Sequence, residues 1–376
     1  MRQTNRRKQQ AWAKVATLFF AALLLASCSM MKEDRSDCPD CRNPLHIKVR
    51  YDYNIQRANM FADHVEQATV FVVDPATGTI IDTQTASNSA TSQPLRDLSF
   101  AFNFEGLAPG IYRLYATGRS AAEAAYKTTT PDIAQLIESL SFTIPTDANG
   151  QVPTQRLDTI WNTLKPIDVV IPEKEPTEAT IGLMRLTNDL NVMVFRRDHP
   201  ADNGHERYEV IVTDNHPTLD YDNAPVSERL RVGASAGMLQ SVVYRPFASW
   251  TTETKATGRR VSGNTADETI VERNAHYDLS LSRLIQHEDA RQNARLIIRN
   301  RETGHEIINI DLCYYLALAR NAYEIQNYGI QEYLDREYDY RLDFGIEGEG
   351  EKETWKYITI RINVLSWALR IQNEEL

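Results

Sequence analysis

Apolar and polar residues alternate at every second position in short runs along this 376-residue chain, and no other feature limits the fold as strongly. Such runs lie at residues 45–51, 100–104, 181–195 and 355–369. A period of two is that of a strand with one buried face. Turn residues separate the runs, and short strands at regular spacing predict an all-β chain built of antiparallel β-sandwiches.

The length of the chain predicts more than one domain, because a single core rarely serves so many residues. The segment 172–176, Pro-Glu-Lys-Glu-Pro, is charged and has no apolar residue, so we place the boundary there. The predicted limits are 44–172 for an N-terminal β-sandwich domain and 177–376 for a C-terminal one. Helical spacing of apolar residues also predicts short helices at 132–140 and 311–322.

One run in the first half indicates the type of sandwich. Residues 102–112 read Phe-x-Phe-x-Gly-Leu-x-Pro-Gly-x-Tyr, which resembles the turn-and-strand signature of transthyretin-like sandwiches. The predicted fold class is therefore all-β, with two tandem transthyretin-like antiparallel β-sandwich domains and a few short helices.

The N-terminal residues 1–27 have the features of a lipoprotein signal peptide. A basic head precedes an apolar run at 15–25, which is shorter than the roughly 20 residues of a membrane-spanning helix. Leu25, Ala26 and Ser27 come directly before Cys28, as in a lipobox. We expect cleavage before Cys28 and acylation there, since two or more acyl chains hold a protein firmly to a membrane. The alternative is an ordinary cleaved signal, or an apolar N-terminal helix, with an incidental cysteine.

Residues 28–43 are polar and have no periodicity, so they are predicted to be a lipidated tether. Ser29 follows the cysteine, which favours the outer membrane over retention in the inner one. The next motif, Lys32-Glu33-Asp34, resembles the surface-export signal of Bacteroidetes lipoproteins. The predicted location is the cell outer membrane, with the protein lipid-anchored and exposed at the surface.

The charge of the chain limits its partners. The net charge is −10, and removal of the basic signal makes the remainder more acidic. A nucleic-acid partner would require a basic face, so we expect none. The sequence indicates no small-molecule substrate and no cofactor.

Three cysteines remain after Cys28. Cys38 and Cys41 form a C-x-x-C in the polar tether, where a local disulfide or two unpaired thiols is favoured over a redox motif. Zinc would need two further ligands, and only His46 is near. Cys313 lies in an apolar run and is expected to pack in a core.

No catalytic pattern stands out, since the sequence has no H-E-x-x-H, G-x-S-x-G or Walker loop. His199, His205 and His216 lie near Asp198 and Asp214, where solvated loop histidines are favoured over a metal site. The prediction is therefore no enzyme, no catalytic residue and no metal.

Two further motifs have structural interpretations. The glycines in the segment 345–350 have acidic neighbours that would repel phosphate, so we interpret the segment as a hairpin turn. Asp335, Glu337 and Asp339 are interpreted as a solvated charged edge, because sequence spacing alone does not establish the facing carboxylates of a glycosidase.

Several segments resemble the FimB-type fimbrial anchor family of Bacteroidetes, in which proteins anchor minor or major fimbriae as lipoproteins. The most specific is Gln-Glu-Tyr-Leu-Asp-Arg-Glu-Tyr-Asp-Tyr at 331–340, followed by a Trp-bearing pair of terminal strands. Asp-Cys-Pro at 37–39 and Val-Arg-Tyr-Asp-Tyr-Asn at 49–54 resemble the N-terminal part of the mature family members. The second tether cysteine, Cys41, departs from the family pattern.

The resemblance implies an outer-membrane lipoprotein that holds the base of a fimbria and influences its length and assembly. Its expected partners are the fimbrial stalk subunit and, through covalent lipid, the outer membrane. Subunits of this class join by strand exchange, a form of β-strand addition. The candidate strand begins at Trp355, and its apolar residues are Trp355, Ile358, Ile360, Ile362, Val364 and Trp367. The alternative for this segment is a strand that completes its own sandwich.

Other functions remain open from the sequence. A fimbrial tip or adhesin subunit would use a domain face to bind host protein or glycan. A surface glycan-binding lipoprotein would need an exposed aromatic platform, which 17 Tyr and 5 Trp permit without locating it.

Overall fold

The computed structural model describes residues 44–120, 127–173, 175–226, 241–258 and 268–362. Twenty strands, numbered in chain order, account for nearly half of these residues. They are β1 (Leu45–Arg50), β2 (Gln67–Val73), β3 (Ile80–Ser87), β4 (Phe102–Phe104), β5 (Gly110–Arg119), β6 (Lys127–Thr129), β7 (Ser141–Thr143), β8 (Ile160–Thr163), β9 (Ile167–Ile171), β10 (Thr177–Arg185), β11 (Thr187–Arg196), β12 (Tyr208–Asp214), β13 (Thr218–Asp220), β14 (Val242–Tyr244), β15 (Ala248–Gly258), β16 (Glu268–Ser282), β17 (Arg295–Asn300), β18 (Glu306–Asp311), β19 (Asp339–Glu347) and β20 (Thr354–Ile362).

Four short α-helices complete the regular structure of the described residues. They are α1 (Phe61–His64), α2 (Leu312–Ala317), α3 (Ala322–Asn327) and α4 (Ile330–Arg336). The all-β prediction with a few short helices is confirmed. None of these helices has the length and apolar character needed to cross a membrane.

The first core lies inside one curled sheet. Its strands run in the order β3-β2-β5-β8-β10-β1-β4, and β9 pairs with β5. Alternate residues of several strands point into a shared cluster, for example Ile47, Val70 and Leu183, each fully buried. The two sheet edges approach each other where Gln84 Nε2 of β3 donates to Asn103 O, which follows Phe102 in β4, at 2.7 Å. The sheet therefore forms both layers of the first sandwich.

The second sandwich has two separate sheets. One has the order β15-β16-β11-β19-β20 and the other β14-β12-β17-β18. Their inner faces share a core that includes Val192, Tyr277, Leu296 and Phe344. This core also contains Phe71 from the first half of the chain, so the two sandwiches pack directly on each other.

Strand pairing also crosses between the halves. A three-stranded sheet has the order β13-β7-β6, in which β13 from the second half pairs with β7 from the first. Most pairs of neighbouring strands are antiparallel, but β1 pairs with β10 in parallel, and β11 pairs with β19 in parallel.

The first strand after the proposed boundary belongs to the first sheet. The predicted limits 44–172 and 177–376 assign β10 to the second domain, whereas its partners are β1 and β8. Ile181 and Leu183 enter the first core, and Thr177 Oγ1 donates to Val170 O of β9 at 3.4 Å. The segment 172–176 therefore joins two strands of one sheet, and the change of sheet falls at Leu186, between β10 and β11.

The helix predicted at 132–140 is wrong, and only a 3-10 turn at Ile137–Ser139 forms there. Ala134 has a φ of 68°, which an α-helix does not allow. The segment instead lies along the β2–β3 hairpin, where Ile80 N donates to Gln135 O at 2.8 Å. Hydrogen bonds to a neighbouring hairpin thus override the helical spacing. In the other predicted segment, 311–322, a helix does form as α2.

Candidate functional site

The candidate exchange strand β20 lies at the edge of the five-stranded sheet. It pairs on one side with β19, from Glu347 opposite Thr354 to Tyr340 opposite Ile362. No strand of the described residues pairs with its other side. In this structure the described part of the strand therefore completes its own sheet, and within the described ranges no strand covers its other edge, which is the kind of edge that strand addition uses.

Two of the six candidate side chains are described, and both face inward. Trp355 and Ile358 are partly buried against the second core. The Trp355 ring lies edge-to-face with Phe344 and with Tyr315, each with centroids 6.1 Å apart. Ile358 lies opposite Phe344 in the register.

The other four candidates are placed by register or lie outside the described residues. Ile360 is opposite Leu342 and Ile362 is opposite Tyr340. Val364 and Trp367 lie beyond the part of the chain that the structure describes. The alternation therefore brings the apolar positions 358, 360 and 362 into register with alternate residues of β19.

A β-bulge explains why Trp355 is out of phase with this alternation. The register shifts between Gly345 and Ile346, so that Tyr357 is opposite Gly345 and Trp355 is opposite Ile346. Lys356 is the extra residue. A bulge inserts one extra residue into a strand and so shifts the alternation of its side chains by one position. Trp355 and Ile358, three positions apart, can therefore pack on the same core.

Glu353, directly before β20, is the centre of a buried ion cluster. Its side chain has no exposed surface, and its Oε1 accepts from Arg207 Nε at 3.0 Å. Asn300 Nδ2 donates to its Oε2 at 2.6 Å, and Arg196 Nη1 lies 3.6 Å from Oε1. His305 Nε2 contacts the Glu353 backbone oxygen at 3.0 Å. These contacts fix the start of β20 to strands β11 and β17 and to Arg207, directly before β12.

The turn before Glu353 is also fixed at its first residue, Gly348, by Arg196 and Asp198. Arg196 Nη2 donates to Gly348 O at 2.6 Å, and Gly348 N donates to Asp198 Oδ2 at 2.7 Å. Gly348 has a φ of 98°, and a Cβ there would lie 2.4 Å from Lys352 O, so only glycine fits. The predicted hairpin turn is present between β19 and β20, and Arg196 connects its two ends.

The outward face of β20 carries one aromatic side chain, Tyr357. Tyr357 is 41% exposed, and the Arg197 guanidinium lies 4.0 Å from its ring centre. Tyr357 and Phe195 approach each other over Gly345, where an added Cβ would lie 2.8 Å from the Phe195 ring.

The segment that carries the family resemblance forms α4 and the start of β19. Tyr333 and Leu334 are buried in the second core. Asp335 binds Arg283 through two hydrogen bonds, at 2.7 and 2.8 Å. The Arg336 guanidinium stacks 4.1 Å from the Tyr53 ring centre of the first half. The segment is thus a structural connection between the two halves, and Asp335 is not part of a solvated edge.

Glu337 ends this segment and is buried. Burial raises its pKa to about 7, although hydrogen bonds from the backbone N–H groups of Tyr338 and Asp339 oppose the shift. The prediction of a solvated acidic edge at 335, 337 and 339 is therefore wrong for Asp335 and Glu337, which are 9% and 3% exposed.

The histidines of the second half have separate surroundings. His205 contacts Thr251 Oγ1 at 2.9 Å, and His199 lies 3.4 Å from Glu349. His216 is buried, with Nδ1 3.0 Å from Asp214 Oδ1. Burial lowers its pKa, but the charge and hydrogen bond of Asp214 outweigh this and the net pKa is raised. Among the described residues, no three metal-ligating side chains converge.

Only one of the four cysteines lies in the part of the chain that the structure describes. Cys28, Cys38 and Cys41 lie outside the described residues, so the lipid attachment and the possible disulfide stay predictions. Cys313 is a free thiol buried in the second core, and burial raises its pKa well above the usual range.

Sequence reasoning did not find Glu353, Arg196 and Arg207 as functional residues. Arg207 and Glu353 are 146 positions apart, and each resembles the many other charged residues of the chain. The only local signal was the glycine-rich turn at 345–350, which indicated that a strand begins soon after it.

Fold and site together define the class: an all-β protein of two packed sandwiches whose terminal described strand leaves an open sheet edge. The model of the family described as fimbrillin-A associated anchor proteins Mfa1 and Mfa2 matches residues 35–373. The chain therefore belongs to the Mfa2 family of fimbrial anchor proteins, which confirms the family resemblance. It is a fimbria-associated protein of the cell surface.

Solved structures agree on the fold. A candidate adhesin from Bacteroides thetaiotaomicron has a TM-score of 0.66 and 24% identity, with 87% of this chain and 100% of that chain covered. A protein of the same organism described as polysaccharide-binding has a TM-score of 0.63 and 21% identity, with 86% and 96% covered. The fimbrial anchor protein Mfa2 from Porphyromonas gingivalis has a TM-score of 0.57 and 13% identity, with 86% and 98% covered. No curated protein sequence matches the chain.

Proposed function

We propose that this chain is the lipid-anchored base subunit of a fimbria, which joins the stalk subunit by exchange of its C-terminal strand. One observation carries the proposal: β20 is an edge strand at the end of the described chain, with partly buried apolar residues on its inner face. Family membership supports the anchoring role. Strand addition would satisfy the unpaired backbone groups and supply pockets for alternate side chains.

The proposed attachment to the outer membrane uses Cys28 at the start of the tether 28–43. The two sandwiches would then stand between the lipid and the stalk. Because β10 belongs to the first sheet, we propose that the two domains meet at Leu186 rather than at 172–176.

Cells that carry Cys28→Ala test the anchoring part. We expect fimbriae in the medium, altered in length, and the protein absent from the outer membrane. Cell-bound fimbriae that have lost only receptor binding would instead favour a tip or adhesin subunit. Unchanged fimbriae and receptor binding would overturn the fimbrial role and favour another surface lipoprotein, such as one that binds glycan.

A second experiment tests strand exchange. Ile360→Lys and Ile362→Lys change the two positions opposite Leu342 and Tyr340 of β19. Thr359→Lys places the same charge on the alternate face and is the matched control. We expect the isoleucine variants to release fimbriae while circular dichroism shows a folded protein, and the threonine variant to retain them. Normal attachment in all three variants would refute exchange through this strand.

A further inference from the structure

A cavity of about 500 Å³ lies at one end of the second sandwich. The loop between β11 and β12 supplies Asn203 and Glu206, β16 supplies Arg273, and the turn between β17 and β18 supplies Arg301 and Glu302. Its walls therefore carry guanidinium groups, carboxylates and an amide, which is a lining suited to a polar ligand.

The amide of Asn203 is the most informative wall group. Asn203 is 1% exposed, and its Nδ2 donates to Val194 O at 2.8 Å and to Arg273 O at 2.9 Å. Its Oδ1 accepts no hydrogen bond from the described residues. A buried acceptor without a donor is unfavourable, and Asn203 lines the cavity, so a hydroxyl or N–H donor bound there would satisfy this oxygen.

Two of the three arginines that line the cavity, Arg301 and Arg273, are not closely bound by a carboxylate of the described residues. Arg301 Nε donates to Tyr208 O at 2.8 Å, and no carboxylate of the described residues pairs with Arg301. Arg273 Nε is buried and makes no hydrogen bond with the described residues, and its ion pair with Glu253 is long, at 3.9 Å. Arg207, by contrast, is already paired with Glu353. Arg301 and Arg273 are thus the groups of this cavity that can bind a planar anion.

Carboxylates of the cavity limit which anion fits. Glu206 folds back over the loop, since a Cβ at Gly204 would lie 2.6 Å from its Oε1. Glu302 and Asp202 also line the cavity. These groups repel a doubly charged phosphate more strongly than a singly charged carboxylate, and they accept hydrogen bonds from hydroxyl groups.

We propose that this cavity binds the uronic acid residue of an acidic saccharide. The sugar carboxylate contacts the guanidinium groups of Arg301 and Arg273, and its hydroxyls donate to Asn203 Oδ1 and to Glu206. The four binding groups belong neither to β20 nor to the proposed attachment through Cys28, although Arg207 and Asn300 of the cavity wall also contact Glu353 at the start of β20. Saccharide binding can therefore fail while the proposed function holds, or hold while the proposed function fails.

Isothermal titration calorimetry on the full chain tests the site with two matched sugars. D-Galacturonic acid and D-galactose differ only in the carboxylate that replaces the hydroxymethyl group. We expect galacturonic acid to bind about tenfold or more tightly than galactose, because a hydrogen bond to a charged group contributes about 1.5–3 kcal/mol. Inorganic phosphate is expected to bind more weakly than galacturonic acid.

Variants assign the binding to the cavity. Arg301→Gln should weaken galacturonic acid binding about tenfold, and Arg301→Lys should weaken it less, since it keeps the charge without the planar fork. Arg291→Gln is the control, because Arg291 is 90% exposed and pairs only with Asp289 among the described residues. Equal binding of the two sugars, phosphate binding as tight as that of the acid, no binding by a folded protein, or unchanged binding in both Arg301 variants would each overturn the proposal.

Discussion

The first and last described strands, β1 and β20, are built in opposite ways. β1 has a partner on each side, β10 in parallel and β4 antiparallel, and its Leu45 and Ile47 have no exposed surface. In the described part of the chain, β20 has a strand partner on one side only, and its Trp355 and Ile358 are only partly buried. Loss of β1 would open the first core, whereas loss of β20 would expose one edge.

This difference supports the proposed division between a strand that stays in its sheet and a strand that can be exchanged. A strand between two partners gives up two rows of hydrogen bonds when it leaves, and an edge strand gives up one. The ion cluster at Glu353 adds a constraint within β20, because it fixes the start of the strand. If the strand is exchanged as proposed, we expect the exchange to begin at the Ile362 end, away from this cluster.

The largest expected effect tests the fixed start of β20. Glu353→Gln leaves Arg207 and Arg196 without their buried carboxylate, and breaking a buried ion pair costs about 3–5 kcal/mol. Urea titration should show a loss of about 4 kcal/mol in the free energy of unfolding. Glu349→Gln is the control in the same turn, since Glu349 is 74% exposed. A loss below about 1 kcal/mol for Glu353→Gln would show that the cluster does not hold the strand.

The second prediction compares the two strands directly. Ile47→Ala removes a fully buried side chain from β1 and should cost about 3 kcal/mol, whereas Ile358→Ala in β20 should cost about 1 kcal/mol. The same urea titrations measure both values. Equal losses would break the comparison, because they would mean that the edge strand contributes as much to stability as the central one.

The third prediction concerns Glu337, which lies just before β19 and near the far end of β20. Its pKa is raised from 4.5 to about 7 in the folded protein, chiefly by burial and also by Asp339 and Glu324, while backbone N–H groups oppose the rise. A raised pKa means that the folded state holds the proton more tightly than the unfolded state. Its contribution to stability is therefore fully present below pH 4.5 and is lost as the pH rises to about 7.

Glu337→Gln should remove that loss. We expect the variant to be more stable than the wild type by about 2 kcal/mol at pH 8 and of similar stability at pH 4. Melting temperatures across this range measure the difference, and Glu332→Gln, on the more exposed side of α4, is the control. A gain that is equal at pH 4 and pH 8 would exclude ionisation of Glu337 as its cause.

The sequence predicted the parts of this comparison that depend on local patterns. Alternation at 45–51 identified β1 and its buried face, and alternation at 358–362 identified β20 and its register positions. The local pattern of a strand does not determine which strands pair with it. The prediction therefore assigned β10 to the second domain and missed its position beside β1. Helical spacing at 132–140 failed for the same reason, since contacts with a distant hairpin decide the conformation.

The candidate site was predictable to a similar extent. The turn at 345–350 and the apolar positions of β20 followed from residue type and spacing. The ion cluster did not, because Arg196, Arg207 and Asn300 reach Glu353 only after the two sheets have packed. The bulge at Lys356 also depends on pairing with β19, although the three-residue spacing of Trp355 and Ile358 was visible.

The smallest effect compares two turns, one beside each strand. Gly348 begins the turn before β20, and Gly106 lies in the turn that follows β4, the partner of β1. Both have positive φ, 98° and 82°, which costs any other residue about 1 kcal/mol. Gly348→Ala also places its Cβ 2.4 Å from Lys352 O, whereas a Cβ at 106 meets nothing within 4 Å. We therefore expect the free energy of unfolding to fall by about 2 kcal/mol for Gly348→Ala and by about 1 kcal/mol for Gly106→Ala in urea titration.

Hydrogen exchange should show where the Gly348→Ala variant is weakened. We expect the amides of β20 to lose protection and those of β1 to stay protected. If Gly106→Ala were the more damaging change, or if β1 lost protection with Gly348→Ala, the turn before β20 would not be a separate constraint on that strand.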